Sequence, residues 1–201
     1  MRRRVATRKP RRTFLVFCEG ERTEIDYLKA LRQEPDVRDV ASVDIRIDRA
    51  SAGGVPMTLV KEAADALARI SGEDGEIDEV WWVFDVEWPR NHPNLREALD
   101  LAKARAIRTA VSNPCFELWL ALHFKKYGKW LDNDAADKLR RDYDSAVDKG
   151  VDGAKYMPRR ADAARRARCL RDKHERDGTA FPNDNPSSGM YKFLEAIEGA
   201  A

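Results

Sequence analysis

The chain has 201 residues, of which 43% are apolar and 36% are charged, and its formal net charge is +2 at pH 7. This size and apolar content suit one globular domain or a domain with an extension, and no stretch approaches the roughly 20 apolar residues of a membrane-spanning helix. The three cysteines, Cys18, Cys115 and Cys169, show no CxxC or zinc-type spacing. We therefore expect buried, reduced thiols and a cytoplasmic protein.

The spacing of apolar residues predicts alternating strands and helices. In chain order, we expect a strand at 13–18, a helix at 22–34, a strand at 42–48, a helix at 56–71, a strand at 79–84, a helix at 93–105, a strand at 107–111, and helices at 115–127, 133–147, 159–176 and 189–197. Loops are expected at 148–158 and 181–188. The strands at 13–18 and 79–84 are almost wholly apolar, which is typical of strands buried on both faces.

This order predicts an α/β fold with a sheet of about four mainly parallel strands, flanked by helices and followed by a C-terminal helical extension. We expect three parts along the chain. They are a basic, flexible N-terminal tail over residues 1–12, an α/β domain over residues 13–130, and a helical extension over residues 131–201 that packs on that domain.

Lysine and arginine are concentrated in two segments. Residues 1–12 hold seven Lys or Arg and no acid, and residues 155–176 hold nine Lys or Arg against three acids. Such segments favour a polyanionic partner, for which nucleic acid is the first candidate. The alternative is a disordered tail and a solvated helix face, because both are common without a partner.

Three acids follow the two buried strands. Glu19 comes directly after the first strand, and Asp85 and Glu87 come directly after the other. Asp85 and Glu87 are two residues apart, so they point in the same direction from an extended chain. If the strands are neighbours in a parallel sheet, the three carboxylates meet at a strand spacing of about 5 Å and favour Mg²⁺ or Mn²⁺, which prefer oxygen ligands. Alternatively, the acids cap the strand ends and pair with arginines.

These residues carry a family resemblance. The Glu-Gly after the first strand and the DxD-like pair after a later strand resemble the Toprim arrangement of primases, topoisomerases and overcoming-lysogenization-defect nucleases. More closely, the chain resembles the RloB-like (AbiLii) family of bacterial phage-resistance proteins from about residue 13 to residue 197. Four segments carry this resemblance, in this order: FCEGERTEIDYL, VWWVFDVE, AVSNPCFELWLALHF and NPSSGMYKFLEAI. The chain departs from the family at Asp85-Val86-Glu87, where the family usually has DxD.

The resemblance implies a Toprim-like fold and a metal-dependent nuclease that cleaves DNA or RNA in anti-phage defence, beside an ATPase partner of the AAA or ABC type. By position, Glu19 matches the Toprim glutamate, a metal ligand or general acid/base, and Asp85 and Glu87 match the metal-holding pair. These three are the expected catalytic residues, with Mg²⁺ or Mn²⁺ as cofactor. Glu21 and Glu24 lie where related two-metal nucleases have further acids. The alternative is a non-catalytic subunit of a defence complex that binds nucleic acid or a nucleotide.

Further residues are accessory candidates. Glu117 lies one turn into an apolar helix, as an additional metal ligand or as an acceptor for a neighbouring strand end. Asn113 either caps that helix or contacts phosphate, and Ser187 and Ser188 either belong to a functional segment or cap the last helix. Candidate nucleic-acid contacts are Lys155, Arg159, Arg160, Arg165 and Arg166. The resemblance singles out Lys155 among them.

Two histidines are expected to be structural or peripheral. His123 lies within the apolar helix at 115–127, where a hydrogen-bonded core or rim histidine is the expected role rather than a catalytic base. His92 follows the acidic pair and is expected to be a surface loop residue, although it lies close enough along the chain to reach a substrate. The oligomeric state has no signature in the sequence.

Overall fold

The computed structural model describes residues 12–20, 22–39, 43–49, 56–70, 77–89, 92 and 94–199. Its strands are β1 Arg12–Cys18, β2 Val43–Arg49, β3 Glu79–Asp85, β4 Ile107–Asn113 and β5 Ser187–Ser188. They form one sheet in the order β2-β1-β3-β4-β5, in which the first four strands are parallel and the short β5 is antiparallel to β4. The predicted α/β fold with a mainly parallel sheet is confirmed.

Nine α-helices are present in the described part of the chain. They are α1 Thr23–Leu31, α2 Pro35–Asp39, α3 Pro56–Ile70, α4 Leu95–Ala104, α5 Phe116–Leu122, α6 Asn133–Asp144, α7 Gly153–Tyr156, α8 Arg160–Asp177 and α9 Met190–Glu198. A 3₁₀ turn at Met157–Arg159 joins α7 to α8. None of the helices in these ranges combines the length and the apolar character needed to cross a bilayer.

The sheet separates two apolar clusters, because successive side chains of a strand point to opposite faces. Trp81 and Phe14 lie in the cluster that the sheet forms with α1, α5, α8 and α9. Trp82 and Phe17 lie in the cluster on the other face, which α3 and α4 cover. Burial on both faces explains why β1 and β3 are continuous apolar runs rather than alternating ones.

The C-terminal helices share the core of the sheet. The ring of Phe193 in α9 packs edge-on against Trp81, with 5.2 Å between ring centroids, and against Phe14 at 6.3 Å. Leu170 of α8 and Tyr156 of α7 belong to the same cluster. The region predicted as a helical extension therefore completes one face of the sheet.

Two helices differ from the prediction at their ends. The helix predicted at 22–34 is α1, which ends earlier, at Leu31. A separate short helix that was not predicted, α2, follows it and begins at Pro35, a residue that suits the first turn of a helix. The helix predicted at 115–127 ends at Leu122. The guanidinium of Arg166 donates to the carbonyls of Leu122 (2.6 Å) and His123 (2.9 Å), and so satisfies acceptors at that helix end.

Two loops contain short elements that the sequence did not predict. The expected loop at 181–188 includes β5, whose Ser188 pairs with Ser112, and β4 accordingly runs to Asn113 instead of 111. Gly189 is needed here because a Cβ would lie 2.9 Å from the backbone nitrogen of Val111. The expected loop at 148–158 includes α7, a helix of four residues that is too short to show periodicity.

The other predicted boundaries agree with the structure to within three residues. The predicted tail at residues 1–12 lies outside the described residues except for Arg12, which opens β1 and pairs with Glu79. Cys18 and Cys115 are buried as expected. Cys169 is exposed, so the expectation of a buried thiol is wrong there, because it lies on the outer side of α8.

Candidate active site

The carboxyl ends of β1 and β3 lie side by side and place their acids in one cleft. The backbone N–H of Glu19 donates to the carbonyl of Val83 at 3.1 Å, and the backbone N–H of Asp85 donates to Glu19 Oε2 at 3.2 Å. The cleft has a volume of about 790 Å³. Five of the acids that line it were predicted from the sequence: Glu19, Glu24, Asp85, Glu87 and Glu117.

Asp85 is the most deeply placed of these acids. Its Oδ2 accepts a hydrogen bond of 3.1 Å from the backbone N–H of Phe116, at the start of α5. Its Oδ1 is shielded from solvent and has no hydrogen-bond partner among the described residues. Burial raises the pKa of Asp85 well above its usual range, and the charges of Glu24, Glu117 and Glu19 raise it further. A proton or a cation would therefore stabilise this carboxylate.

Glu24 lies against the turn that follows β1. It is in the first turn of α1, only 5% of its surface is exposed, and its carboxylate covers Gly20. A Cβ on Gly20 would lie 1.9 Å from Glu24 Oε2, so glycine is needed for this approach. Burial, followed by the charges of Glu117 and Glu19, raises the pKa of Glu24 to about 7.

Glu87 and His92 form the rim of the cleft. Glu87 has a φ of 60°, a conformation that a non-glycine residue rarely adopts, and its N–H donates to the carbonyl of Pro114 at 2.8 Å. His92 Nε2 lies 3.0 Å from Glu19 Oε1 and 3.7 Å from Glu87 Oε2. Contact with Glu19 raises the pKa of His92, against the opposing effect of burial.

The expectation that His92 is a peripheral loop residue is therefore wrong, because its side chain is directed between two of the site carboxylates. The indication in the sequence that His92 belongs to the site was its position, five residues after Glu87. In contrast, His123 is the core histidine that was expected. It contacts the hydroxyl of Tyr27 and the carbonyl of Trp119, and burial lowers its pKa to about 4.

Three cations line the cleft. Arg22 pairs with Asp148 at 2.9 Å, and Arg141 pairs with Asp137 at 2.8 Å. The remaining cation is Lys149, which makes no ion pair within the described ranges. Its carbonyl accepts a hydrogen bond of 3.1 Å from the hydroxyl of Thr23, which ties its loop to the start of α1. Sequence reasoning missed Lys149, which lies in a predicted loop without a distinctive local pattern.

The predicted nucleic-acid contacts lie outside the lining of this cleft. Lys155 donates to the carbonyl of Asp144 at 2.6 Å, and Arg160 pairs with Glu34 and Asp36. Arg165 pairs with Asp162 at 2.7 Å. Arg159 lies over the ring of Phe124, and Arg166 closes the end of α5 as described above. Several of these cations thus have structural roles.

Asn113 and Ser187, near β4 and β5, connect loops, whereas Ser188 bonds the start of α9. Asn113 Oδ1 accepts from the indole N–H of Trp88 at 3.0 Å, and its amide donates to Asp184 Oδ1 at 2.9 Å. The predicted cap role of Asn113 is wrong, because the N-cap position of α5 is Cys115. Ser188 Oγ accepts from the N–H of Met190 at 3.4 Å, whereas Ser187 donates to Asp184. Glu21 lies outside the described residues.

The residues present fit a hard divalent cation in their chemistry. All the acids at the strand ends offer oxygen, and Asp85 has one shielded oxygen without a partner in the described part of the molecule. Within that same part, no three His, Cys, Asp or Glu side chains stand in a ready-made metal-binding geometry. Glu19 is held by Asp85 and His92, so metal binding would require it to exchange these contacts.

The fold and the cleft define an α/β protein with a carboxylate-rich site at the carboxyl edge of a mainly parallel sheet. A family model described as RloB-like protein matches residues 14–197 of the chain. The chain therefore belongs to the RloB-like family. No curated protein and no solved structure gives a match to it.

Proposed function

We propose that this RloB-like protein is a metal-dependent nuclease that hydrolyses phosphodiester bonds in DNA or RNA. The observation that carries this proposal is the shielded Asp85 carboxylate, which lies among Glu19, Glu24 and Glu117 at the ends of two adjacent parallel strands. So much buried negative charge is costly unless a cation neutralises it. The Toprim-like order of these acids along the chain supports Mg²⁺ or Mn²⁺ as the cofactor.

The chain's own residues hold the site in a defined arrangement. Glu19, Asp85 and Glu87 would hold the cation, with Glu24 and Glu117 as the nearest further carboxylates. When bound, such a cation activates water and offsets charge on the phosphodiester. The N–H of Phe116 fixes Asp85, and the N–H of Asp85 fixes Glu19. His92 carries a proton to higher pH than usual and is positioned to donate it beside Glu19.

The family resemblance supports a biological setting for this activity. We propose that the protein acts in bacterial anti-phage defence, as the effector beside an ATPase of the AAA or ABC type.

Cleavage of defined substrates tests the proposal. Single-stranded and double-stranded DNA and RNA are incubated with the purified protein in Mg²⁺, Mn²⁺ or EDTA, with and without a neighbouring ATPase. We expect cleavage in Mg²⁺ or Mn²⁺ and none in EDTA. Equal cleavage in EDTA, or no cleavage of any substrate under all of these conditions, would contradict a metal-dependent nuclease.

A non-catalytic subunit that binds nucleic acid or a nucleotide is the second candidate. His92 favours it, because a protonated imidazole between Glu19 and Glu87 offsets their charge without a metal ion. The glutamate at position 87 in place of the usual aspartate favours it as well. Tight nucleic-acid binding without cleavage in any of the assays above would support this second function.

Lys149 is expected to contact the substrate phosphate, because it is the cleft cation that has no ion-pair partner among the described residues. Replacing Lys149 with alanine should lower kcat/KM by roughly 10–100-fold, through loss of a charge-assisted hydrogen bond. Lys155→Ala is the matched control. It should leave cleavage unchanged and lower the free energy of unfolding by about 1 kcal/mol, since Lys155 bonds a backbone carbonyl elsewhere. The reverse pattern in steady-state kinetics would assign the phosphate contact to Lys155.

Gly20→Ala is expected to separate metal binding from folding. The new methyl group would overlap the carboxylate of Glu24, which is the end of a flexible side chain and can move away. The protein should keep its thermal stability in EDTA, while its affinity for Mn²⁺ falls by about 10–100-fold. Calorimetric titration with Mn²⁺ measures the affinity. Gly128→Ala is the control, because a Cβ there meets only Leu170 at 3.9 Å; equal affinities in the two variants would refute a role for Glu24.

A further inference from the structure

Trp130 is an exposed aromatic side chain beside the acidic cleft. In the described part of the chain, the large apolar side chains that are exposed are Trp130, Tyr143 and Val147. Trp130 leaves 58% of its surface in solvent, although burial of an indole is strongly favourable. Most aromatic residues of this chain lie in the two core clusters instead. The exposed indole is therefore available to a binding partner.

The position of Trp130 relative to the cleft is set by Trp88 and Asn133. The rings of Trp130 and Trp88 pack edge-on, with 5.9 Å between their centroids. Trp88 directly follows Glu87, and its backbone N–H donates to Asn133 Oδ1 at 2.9 Å. Asn133 itself lines the acidic cleft. The indole of Trp130 thus packs against Trp88, the residue that follows the rim residue Glu87, and the backbone of Trp88 is itself fixed by its hydrogen bond to Asn133.

The segment that leads to Trp130 is basic. Residues 125–130 read KKYGKW, and the side chains of Lys125, Lys126 and Lys129 are exposed. Lys125 lies over the ring of Tyr143. Lys126 and Lys129 make no ion pair with any of the described residues, unlike most arginines of α8. A stacking surface next to unpaired ammonium groups matches the chemistry of a nucleic-acid strand, which alternates aromatic bases and phosphates.

We propose that residues 125–130 bind single-stranded nucleic acid, with a base stacked on Trp130 and phosphates contacted by Lys126 and Lys129. The proposal rests on the proposed nuclease function and specifies its substrate as a single strand or an unpaired region. A base in a duplex is already stacked on both faces, so its ring is not available to an indole on the protein surface. Binding at this segment would lead the adjacent phosphodiester towards the acids at the ends of β1 and β3.

Binding of short oligonucleotides to the full chain tests this inference. The protein carries Asp85→Asn, so that the substrate stays intact in Mg²⁺, and the probes are a labelled 12-nucleotide single strand and the corresponding duplex. Adding Trp130→Ala should weaken single-strand binding about tenfold, whereas Trp130→Phe should retain most of the affinity. Duplex binding should change less than twofold. Val147→Ala, which removes an exposed apolar side chain that cannot stack, should change neither affinity.

A second measurement reports the stacking directly. Single-strand binding should quench tryptophan fluorescence, and Trp130→Phe should remove most of that quenching while the affinity is retained. An unchanged single-strand affinity in Trp130→Ala would overturn the inference and assign the exposed indole to another kind of partner. Equal weakening for single strand and duplex would overturn the single-strand preference. If the parent protein binds no nucleic acid at all, both this inference and the proposed function fail. If Trp130→Ala leaves cleavage of single strands unchanged, this inference fails and the proposed nuclease function stands.

Discussion

Replacing Asp85 with asparagine is expected to abolish Mg²⁺- or Mn²⁺-dependent cleavage, with a fall in kcat of at least about 1000-fold. Loss of a central metal ligand removes several kcal/mol of transition-state stabilisation, and each 1.4 kcal/mol corresponds to a tenfold change in rate. Asparagine keeps an oxygen that can accept the hydrogen bond from Phe116 N–H, so the local backbone should remain in place. The measurement is single-turnover cleavage of the best substrate at saturating enzyme.

The thermal stability of the same variant separates chemistry from folding. Burial disfavours the ionised form of Asp85, so the neutral amide should leave the melting temperature in EDTA unchanged or raise it. Asp142→Asn is the matched control, since Asp142 is exposed on α6 and does not line the cleft. If Asp85→Asn cleaves at the wild-type rate while folded, Asp85 is not a metal ligand and the proposed chemistry is wrong.

Replacing Glu24 with glutamine is expected to stabilise the metal-free protein at pH 8. The pKa of Glu24 is raised from 4.5 to about 7 in the folded state, so ionising it there opposes folding. This cost is absent below about pH 4.5, grows as the pH rises towards 7, and is fully present above 7, because the unfolded chain loses its proton first. The shift corresponds to roughly 3 kcal/mol as an upper estimate, or about 6–12 °C in melting temperature for a chain of this size.

Melting curves in EDTA between pH 5 and 8 measure this effect. The melting temperature of Glu24→Gln should exceed that of the wild type at pH 8, and the two should converge towards pH 5. Addition of Mn²⁺ at pH 8 should stabilise the wild type more than the variant, because the cation neutralises the Glu24 carboxylate, as a proton does at lower pH. Glu97→Gln, at an exposed first-turn position of α4, provides the control. A constant difference across the pH range would show that Glu24 does not titrate as inferred.

Much of the fold was predictable because burial leaves a strong pattern in β1 and β3. A strand that is covered on both faces must be apolar along its whole length, and such a run is visible in any sequence. Pairing between short segments leaves no comparable pattern. The two residues of β5 are held by contact with β4 and by the close approach of Gly189 to Val111. The four residues of α7 are likewise stabilised by their surroundings rather than by periodicity.

The site was predictable where it depends on strand ends and not where it depends on loops. Glu19, Asp85 and Glu87 meet because their strands are adjacent and parallel, which the pattern of the chain already indicated. Lys149 lies in a loop that is held at the cleft by a distant contact with Thr23, and His92, which lies between β3 and α4, contacts Glu19. The concentration of Lys and Arg along the chain predicted nucleic-acid contacts at Lys155 and the arginines of α8. The carbonyls and acids that these side chains contact are far away in sequence or are not marked by any pattern, so only the three-dimensional structure shows them.

The contact of Phe193 with Trp81 has a consequence for how the molecule folds. The two residues lie far apart in the chain, so this part of the core forms only when a long intervening segment closes into a loop. Contacts between such distant residues slow folding, because the entropy of loop closure is lost before the contact is gained. Until α9 docks, Trp81 lacks the ring that packs against it on this face of the sheet.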